Sequence, residues 1–258
     1  MDLGLSGKKA LVCASTKGLG KGCAISLVKE NVDVTIVSRS NDNIEKAISD
    51  IQKETGVVVS AIQADVTLVE DRKKIIETIV PDILVNNAGG PPPGDFRKFT
   101  IEDWQKAVND NMITPIEFIK AYIDNMISNK FGRIINITSS AVKAPIDILG
   151  LSNGARTGLT GFIAGISRKT IEHNVTINNI LPGMFDTDRL NQNLDIGAKM
   201  NKITYDEMRS IRLNSIPAKR FGNIHEFGDL CAYLCSDQAS FITGQNFLID
   251  GGAYPGTF

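Results

Sequence analysis

Short apolar runs alternate along this chain with longer stretches whose apolar positions recur every three or four residues. The short runs lie at 9–15 (KALVCAS), 33–38 (DVTIVS), 57–63 (VVVSAIQ), 82–87 (DILVNN), 132–139 (GRIINITS), 175–181 (VTINNIL) and 246–250 (NFLID). They are rich in Val and Ile and nearly continuous in apolarity, the pattern of parallel strands covered by helices on both faces. Helical periodicity fills the gaps: from the glycine turn after residue 15 to about 28, then 42–53, 69–79, 101–128, 153–173 and 224–235. Alternating strands and helices predict a doubly wound (Rossmann) α/β fold, a seven-stranded parallel sheet with helices on both faces. No linker or repeat interrupts it, so residues 1–258 read as one domain. The long polar segment between Thr187 and Pro217 is the exception, and 188–216 is expected to form a lid.

Composition narrows the class. Of 258 residues, 42% are hydrophobic and 22% charged, with a net charge of −1. That is an ordinary globular balance, with no basic block for nucleic acid or an anionic membrane. The start, MDLGLSGKKALV, lacks the apolar core of a signal peptide, and no apolar run is long enough to span a membrane. A cytoplasmic protein is expected. Cys13, Cys23, Cys231 and Cys235 lack paired metal spacing and read as small buried residues, and two histidines are too few for a His-based metal site.

The turn after the first strand offers a phosphate site. Ala14, Ser15, Thr16, Lys17, Gly18, Leu19 and Gly20 open the first helix, where free backbone N–H groups and the helix dipole favour a pyrophosphate. Ala14 stands where a glycine is often found and is expected to keep a negative φ. The second strand ends in Ser38 and Arg39. A carboxylate there would bind an adenosine ribose hydroxyl and repel a 2′-phosphate, whereas a hydroxyl beside a guanidinium attracts one. With Lys17 nearby, the pattern points to NADP(H).

From Lys8 to Gly252 the chain resembles the short-chain dehydrogenase/reductase family. The resemblance rests on motifs in family order. Asn86–Gly90 (NNAGG) follows the fourth strand, and Asp65 and Val66 stand at the adenine contact. Trp104 precedes Asn111 by seven residues. Ser139 ends NITS, and Pro182, Gly183, Met184 and Thr187 lie in LPGMFDT. Segment 219–252 matches the family's last helix and strand. The resemblance implies that Asn87, Ala88 and Gly89 line the cofactor, that Thr187 holds the carboxamide, and that Asn111 and Ser139 belong to the catalytic tetrad. The nearest likeness is to the 3-oxoacyl-[acyl-carrier-protein] reductases. It implies reduction of a 3-oxoacyl or related ketone, and a homotetramer or homodimer built on the two long central helices.

The tetrad itself is altered. The family's Tyr and Lys positions hold Ser152 and Arg156. A Tyr can act as a general acid because a neighbouring cation lowers its pKa, whereas a Ser hydroxyl is far too weak an acid and can only donate a hydrogen bond. Arg156 keeps its proton but can hold a ribose and offset negative charge. The remaining proton donors are water and Lys143, four residues after Ser139. The stiff PPPG rim after the NNAGG motif and an apolar wall at 147–151, expected opposite it, suit an acyl or alkyl ketone. Two other functions fit the same residues: a sugar or polyol dehydrogenase, and an NADP-binding sensor or scaffold that has lost catalysis.

Overall fold

The computed structural model describes residues 2–257. Seven strands form one sheet: β1 (Lys9–Val12), β2 (Asp33–Ser38), β3 (Ser60–Gln63), β4 (Ile83–Asn86), β5 (Gly132–Ile137), β6 (Val175–Pro182) and β7 (Asn246–Ile249). All neighbours are parallel, in the order β3-β2-β1-β4-β5-β6-β7. The chain reverses its direction of travel across the sheet between β1 and β4. A crevice opens at such a point, beyond the carboxyl ends of the strands.

Period-two side-chain alternation sorts the core onto two faces. Ala10, Val12, Ile36 and Ile135 face α1 (Gly18–Lys29), α2 (Asn41–Thr55) and α9 (Ile224–Cys235). Leu11, Val37, Leu84 and Ile134 face α3 (Val69–Thr78), α5 (Thr114–Ser128) and α6 (Gly150–Thr170). α1 and α9 pack backbone to backbone. A Cβ on Gly22 would strike the Ile224 carbonyl, and one on Gly228 would strike the Gly22 carbonyl.

Several elements are shorter than the sequence pattern suggests. β1 stops at Val12 because Ala14 turns the chain. β3 starts at Ser60, with Val57 and Val58 exposed and outside its pairing. The helical stretch from 101 breaks into α4 (Ile101–Val108), a π-helical turn (Asn109–Ile113) and α5. The polar segment is a helical pair, α7 (Asp188–Asn201) and α8 (Tyr205–Ser215), capped by Thr187 and Thr204. Leu190, Leu194, Ala198, Met208, Ile216 and Phe221 give it a small core of its own.

A row of amides crosses the α5/α6 face of the sheet. Asn86 Nδ2 donates to Asn136 Oδ1 at 2.9 Å, Asn136 Nδ2 to Asn179 Oδ1 at 3.1 Å, and Asn179 Nδ2 to Asn246 Oδ1 at 2.9 Å. The strand register puts each pair directly side by side. A one-residue slip would break the row, so it fixes register where apolar runs alone leave it loose.

Candidate active site

The glycine turn is tightly built. Gly18 has φ +54°, and a Cβ on Gly20 would sit 2.7 Å from the Ala14 carbonyl oxygen and 2.8 Å from Asn87 Nδ2. Only glycine fits there, and the bare backbone at the start of α1 suits a pyrophosphate. Ala14 departs from expectation: its φ is +45°, not negative. The left-handed region costs a non-glycine residue about 1–2 kcal/mol. The surroundings impose it. Asn87 Nδ2 donates to the Ala14 carbonyl at 3.0 Å. The buried Ser15 hydroxyl donates to Val12 O at 2.6 Å and accepts from Val37 N at 3.2 Å. The Ser15 side chain therefore ties β1 to β2. Leu19 packs against the α1/α9 core.

The carboxyl end of β2 carries a polar cluster. Thr16 Oγ1 donates to Ser38 Oγ at 3.2 Å. The Arg39 guanidinium is exposed and lies 3.8 Å from Asp65, whose other oxygen accepts from Thr67. Val66 is buried below it. Lys17 is also exposed, 3.9 Å from Asp188 at the start of α7. Both cations are exposed, each beside a carboxylate at nearly 4 Å.

A second cluster lies between β4, β5 and the central helices. Pro115, at the start of α5, has no N–H to donate to the Asn111 carbonyl four residues back. The helix widens into its π turn at this point, and such turns recur at functional sites. Asn111 Nδ2 donates to Ala107 O at 3.3 Å, while its buried Oδ1 has no hydrogen-bond partner among the described residues. Asn86 Oδ1, the acceptor end of the amide row, is likewise buried without a partner. Both border a cavity with room for about one water molecule, lined also by Cys13, Asn87, Ala88, Asp110 and Arg156. Cys13 is no nucleophile: burial pushes its thiol up to about 12.

Arg156 is 8% exposed, and its Nη1 donates to Ile137 O at 2.6 Å. Burial, and then the nearby Arg189 charge, lower its pKa to about 10. It remains protonated at neutral pH. Ser152, one turn earlier on α6, is buried. Ser139 follows β5 and accepts from Ala141 N at 3.1 Å. Lys143 stands apart from the cavity, its ammonium 6.0 Å from the Tyr254 ring centre.

Toward the mouth, Gly89 is exposed, and Gly183 leaves no room for a side chain beside Asp250. Pro182 ends β6, Met184 packs on the α7/α8 core, and the Thr187 hydroxyl caps α7. The 147–151 wall is adjacent to the proline rim, not opposite it: Gly94 N donates to Ile148 O at 2.8 Å. Phe96 and Trp104 approach Gly150 from the same side. Arg189, which the sequence reading missed, reaches from the first turn of α7 to the proline rim and donates to Pro91 O at 2.8 Å. Its position two residues after Thr187 was the available signal.

Known proteins share this fold. The family model described as enoyl-(acyl carrier protein) reductase matches residues 13–254. The NADPH-dependent reductase BacG of Bacillus subtilis is 33% identical over 257 residues, covering 96% of this chain and 98% of its own. The 3-oxoacyl-[acyl-carrier-protein] reductase FabG of Vibrio harveyi is 30% identical, covering 98% and 99%. The crystal structure of YwfH, an NADPH-dependent reductase involved in bacilysin biosynthesis, superimposes with a TM-score of 0.92 at 31% identity, covering 98% and 100%. L-sorbose reductase from Gluconobacter frateurii, complexed with NADPH and L-sorbose, gives 0.93 at 25% identity over 100% of both chains. The chain belongs to the short-chain dehydrogenase/reductase family.

Proposed function

We propose that this chain is an NADPH-dependent reductase that converts a carbonyl to an alcohol. One observation carries the reading: the cradle around Gly20 opens beside Ser38 and Arg39, where a carboxylate would exclude a 2′-phosphate. The NADPH-dependent relatives and the FabG likeness support it.

The residues present fit that cofactor. Gly18, Gly20 and the first N–H groups of α1 would hold the diphosphate. Arg39, Ser38 and Lys17 would hold the 2′-phosphate, and Asp65 and Val66 would border the adenine. Asn87, Ala88, Gly89, Pro182, Gly183, Met184 and Thr187 would line the nicotinamide end. Bound there, the reduced cofactor supplies a hydride. Ser139 and Ser152 orient the carbonyl oxygen with their hydroxyls, and Arg156 offsets its developing charge from a water-poor wall. Neither serine is acidic enough to give up a proton to it. A water in the cavity between Asn86 Oδ1, Asn111 Oδ1 and Arg156 would relay a proton from solvent; it would be no stronger an acid than the serines themselves. Lys143, against the Tyr254 ring, is the more distant donor. The helical pair 188–216 acts as the lid.

The apolar rim favours a ketone substrate. The likeness to L-sorbose reductase keeps a polyol reading in play. Replacing Arg39 with Ala removes a charge-assisted phosphate contact worth about 1.5–3 kcal/mol. NADPH affinity is expected to fall about ten- to a hundredfold, with NADH affinity unchanged. Titration of both cofactors, beside turnover on a ketone panel, checks this. Equal affinity for the two in the parent protein would exclude the NADPH assignment. NADPH binding without turnover on any carbonyl would mark a sensor.

A further inference from the structure

Arg156 and Arg189 reach one point from two sides. A Cβ built on Gly90 would lie 3.8 Å from Nη2 of each, so the two nitrogens are no farther apart than twice that distance. Arg156 comes from the buried face of α6 and Arg189 from the first turn of α7. Neither pairs with a carboxylate among the described residues. Arg156 donates to the Ile137 carbonyl, and Arg189 to the carbonyls of Gly90 and Pro91. The acids nearby are engaged: Asp110 binds Lys106 at 2.7 Å, and Asp188 faces Lys17 at 3.9 Å.

Two like charges converging on a half-buried wall repel, and burial strengthens the repulsion. The depressed pKa of Arg156 registers it, with burial as the first cause and Arg189 as the second. An anion between the two forks would reverse both penalties and satisfy the free N–H groups. Gly90, lacking a side chain, leaves the gap open. The gap lies beyond the Asn87–Gly89 loop, beside the proline rim, whereas the diphosphate cradle lies at the start of α1.

We propose that Arg156 and Arg189 form a clamp for a carboxylate on the substrate, so that this chain reduces an oxo acid in preference to a neutral ketone. The proposal rests on the reductase reading of the site and adds the substrate's charge to it. Because Arg189 sits on α7, the same contact would draw the lid toward the rim.

Calorimetry on NADP⁺-saturated protein tests this without turnover. The probes are 2-oxohexanoate, 3-oxohexanoate and their methyl esters. At least one acid is expected to bind tenfold or more tightly than its ester. Arg189→Gln should remove that difference while leaving NADPH affinity within about twofold, and Arg189→Lys should restore part of it. Arg189 is exposed, so these variants are expected to fold. In turnover, Arg189→Gln should raise KM for the acid more than it lowers kcat. Equal binding of acid and ester, or no binding by either acid, would overturn the clamp. So would an Arg189→Gln variant that loses NADPH affinity and keeps the acid, because the pair would then serve the cofactor. Arg189-dependent acid binding without turnover would support the clamp and count against the reductase reading.

Discussion

The Arg156 fork is held on one side by the Ile137 carbonyl, 2.6 Å from Nη1, and its remaining donors face the cavity and Gly90. Ser152, one helical turn away on α6, is buried, and its hydroxyl cannot work as an acid. On the proposed reading, in which Ser152 and Arg156 stand at the Tyr and Lys positions, a Tyr–Lys pair there should supply an acid. Ser152→Tyr with Arg156→Lys is expected to raise kcat/KM for a neutral ketone, by up to about 10²–10⁴, the range for a positioned acid. Ser152→Tyr alone should gain less, because the wider Arg156 fork stays in the space the Lys stem would leave. Steady-state assays with NADPH check both. A double variant that binds NADPH normally and stays inert on every ketone would show that the pocket itself does not suit reduction. At this scale the sequence was informative wherever a residue type decided the chemistry. Arg39, Ser152 and Arg156 are named from identity and spacing alone, and the structure puts Arg39 just after β2 and the other two one turn apart on α6, with Arg156 lining the cavity. The Ala14 backbone could not be read that way, because its positive φ is imposed by Asn87 and Ser15, one of them far away in the chain. The Arg156–Arg189 convergence was hidden too, since it joins positions on two helices through a glycine on a third segment.

Helices α5 and α6 do two jobs. Their inner faces carry the cavity, and the outer face of α6 includes small residues. Gly161 and Gly165 are exposed on α6, and a Cβ on either would meet nothing within 4 Å. An exposed mid-helix glycine costs about 1 kcal/mol relative to Ala. Close approach of another helix would offset that cost. A homodimer or homotetramer is the expected state. Gly161→Glu with Gly165→Glu should strengthen α6 in isolation yet dissociate the assembly, leaving the circular dichroism spectrum native. Sedimentation equilibrium at micromolar concentration reads the mass. A parent protein that sediments as a monomer would refute the assembly. The hydrophobic pattern located the strands and α9 to within a few residues, because buried periodicity survives in the sequence. It missed the π turn, whose cause is the single missing donor of Pro115. It also missed the helices α7 and α8, whose polar faces outweigh their small core.

Over the whole molecule, acid is the expected weakness. Hydrogen bonds hold several carboxyls below their ordinary range: Asp50 by Lys21, Asp95 by Arg97, Glu207 by the Thr204 cap, and Glu226 by Arg220, the last to about 2. A carboxyl depressed by folding adds stability above its unfolded pKa, and that stability is lost as pH falls through the folded value. For Glu226 the window runs from about 4.5 down to about 2. The pair is half exposed, so solvent screening reduces its share to about 1 kcal/mol. Glu226→Gln keeps the helix cap and drops the ion pair. Its Tm should lie slightly below the parent's at pH 7, and the two should converge near pH 2. Parallel curves across that range would contradict the assignment.

The amide row has a polarity of its own. Every side-chain N–H in it points from β4 toward β7, so the amide dipoles align head to tail. Their negative end is the unpartnered Asn86 oxygen at the cavity. The far edge of the sheet thus contributes a fixed field at the site. That field favours the charged form of Arg156 against the burial and repulsion that weaken it. A water entering the cavity would meet that field with one hydrogen toward Asn86 and a lone pair toward the guanidinium.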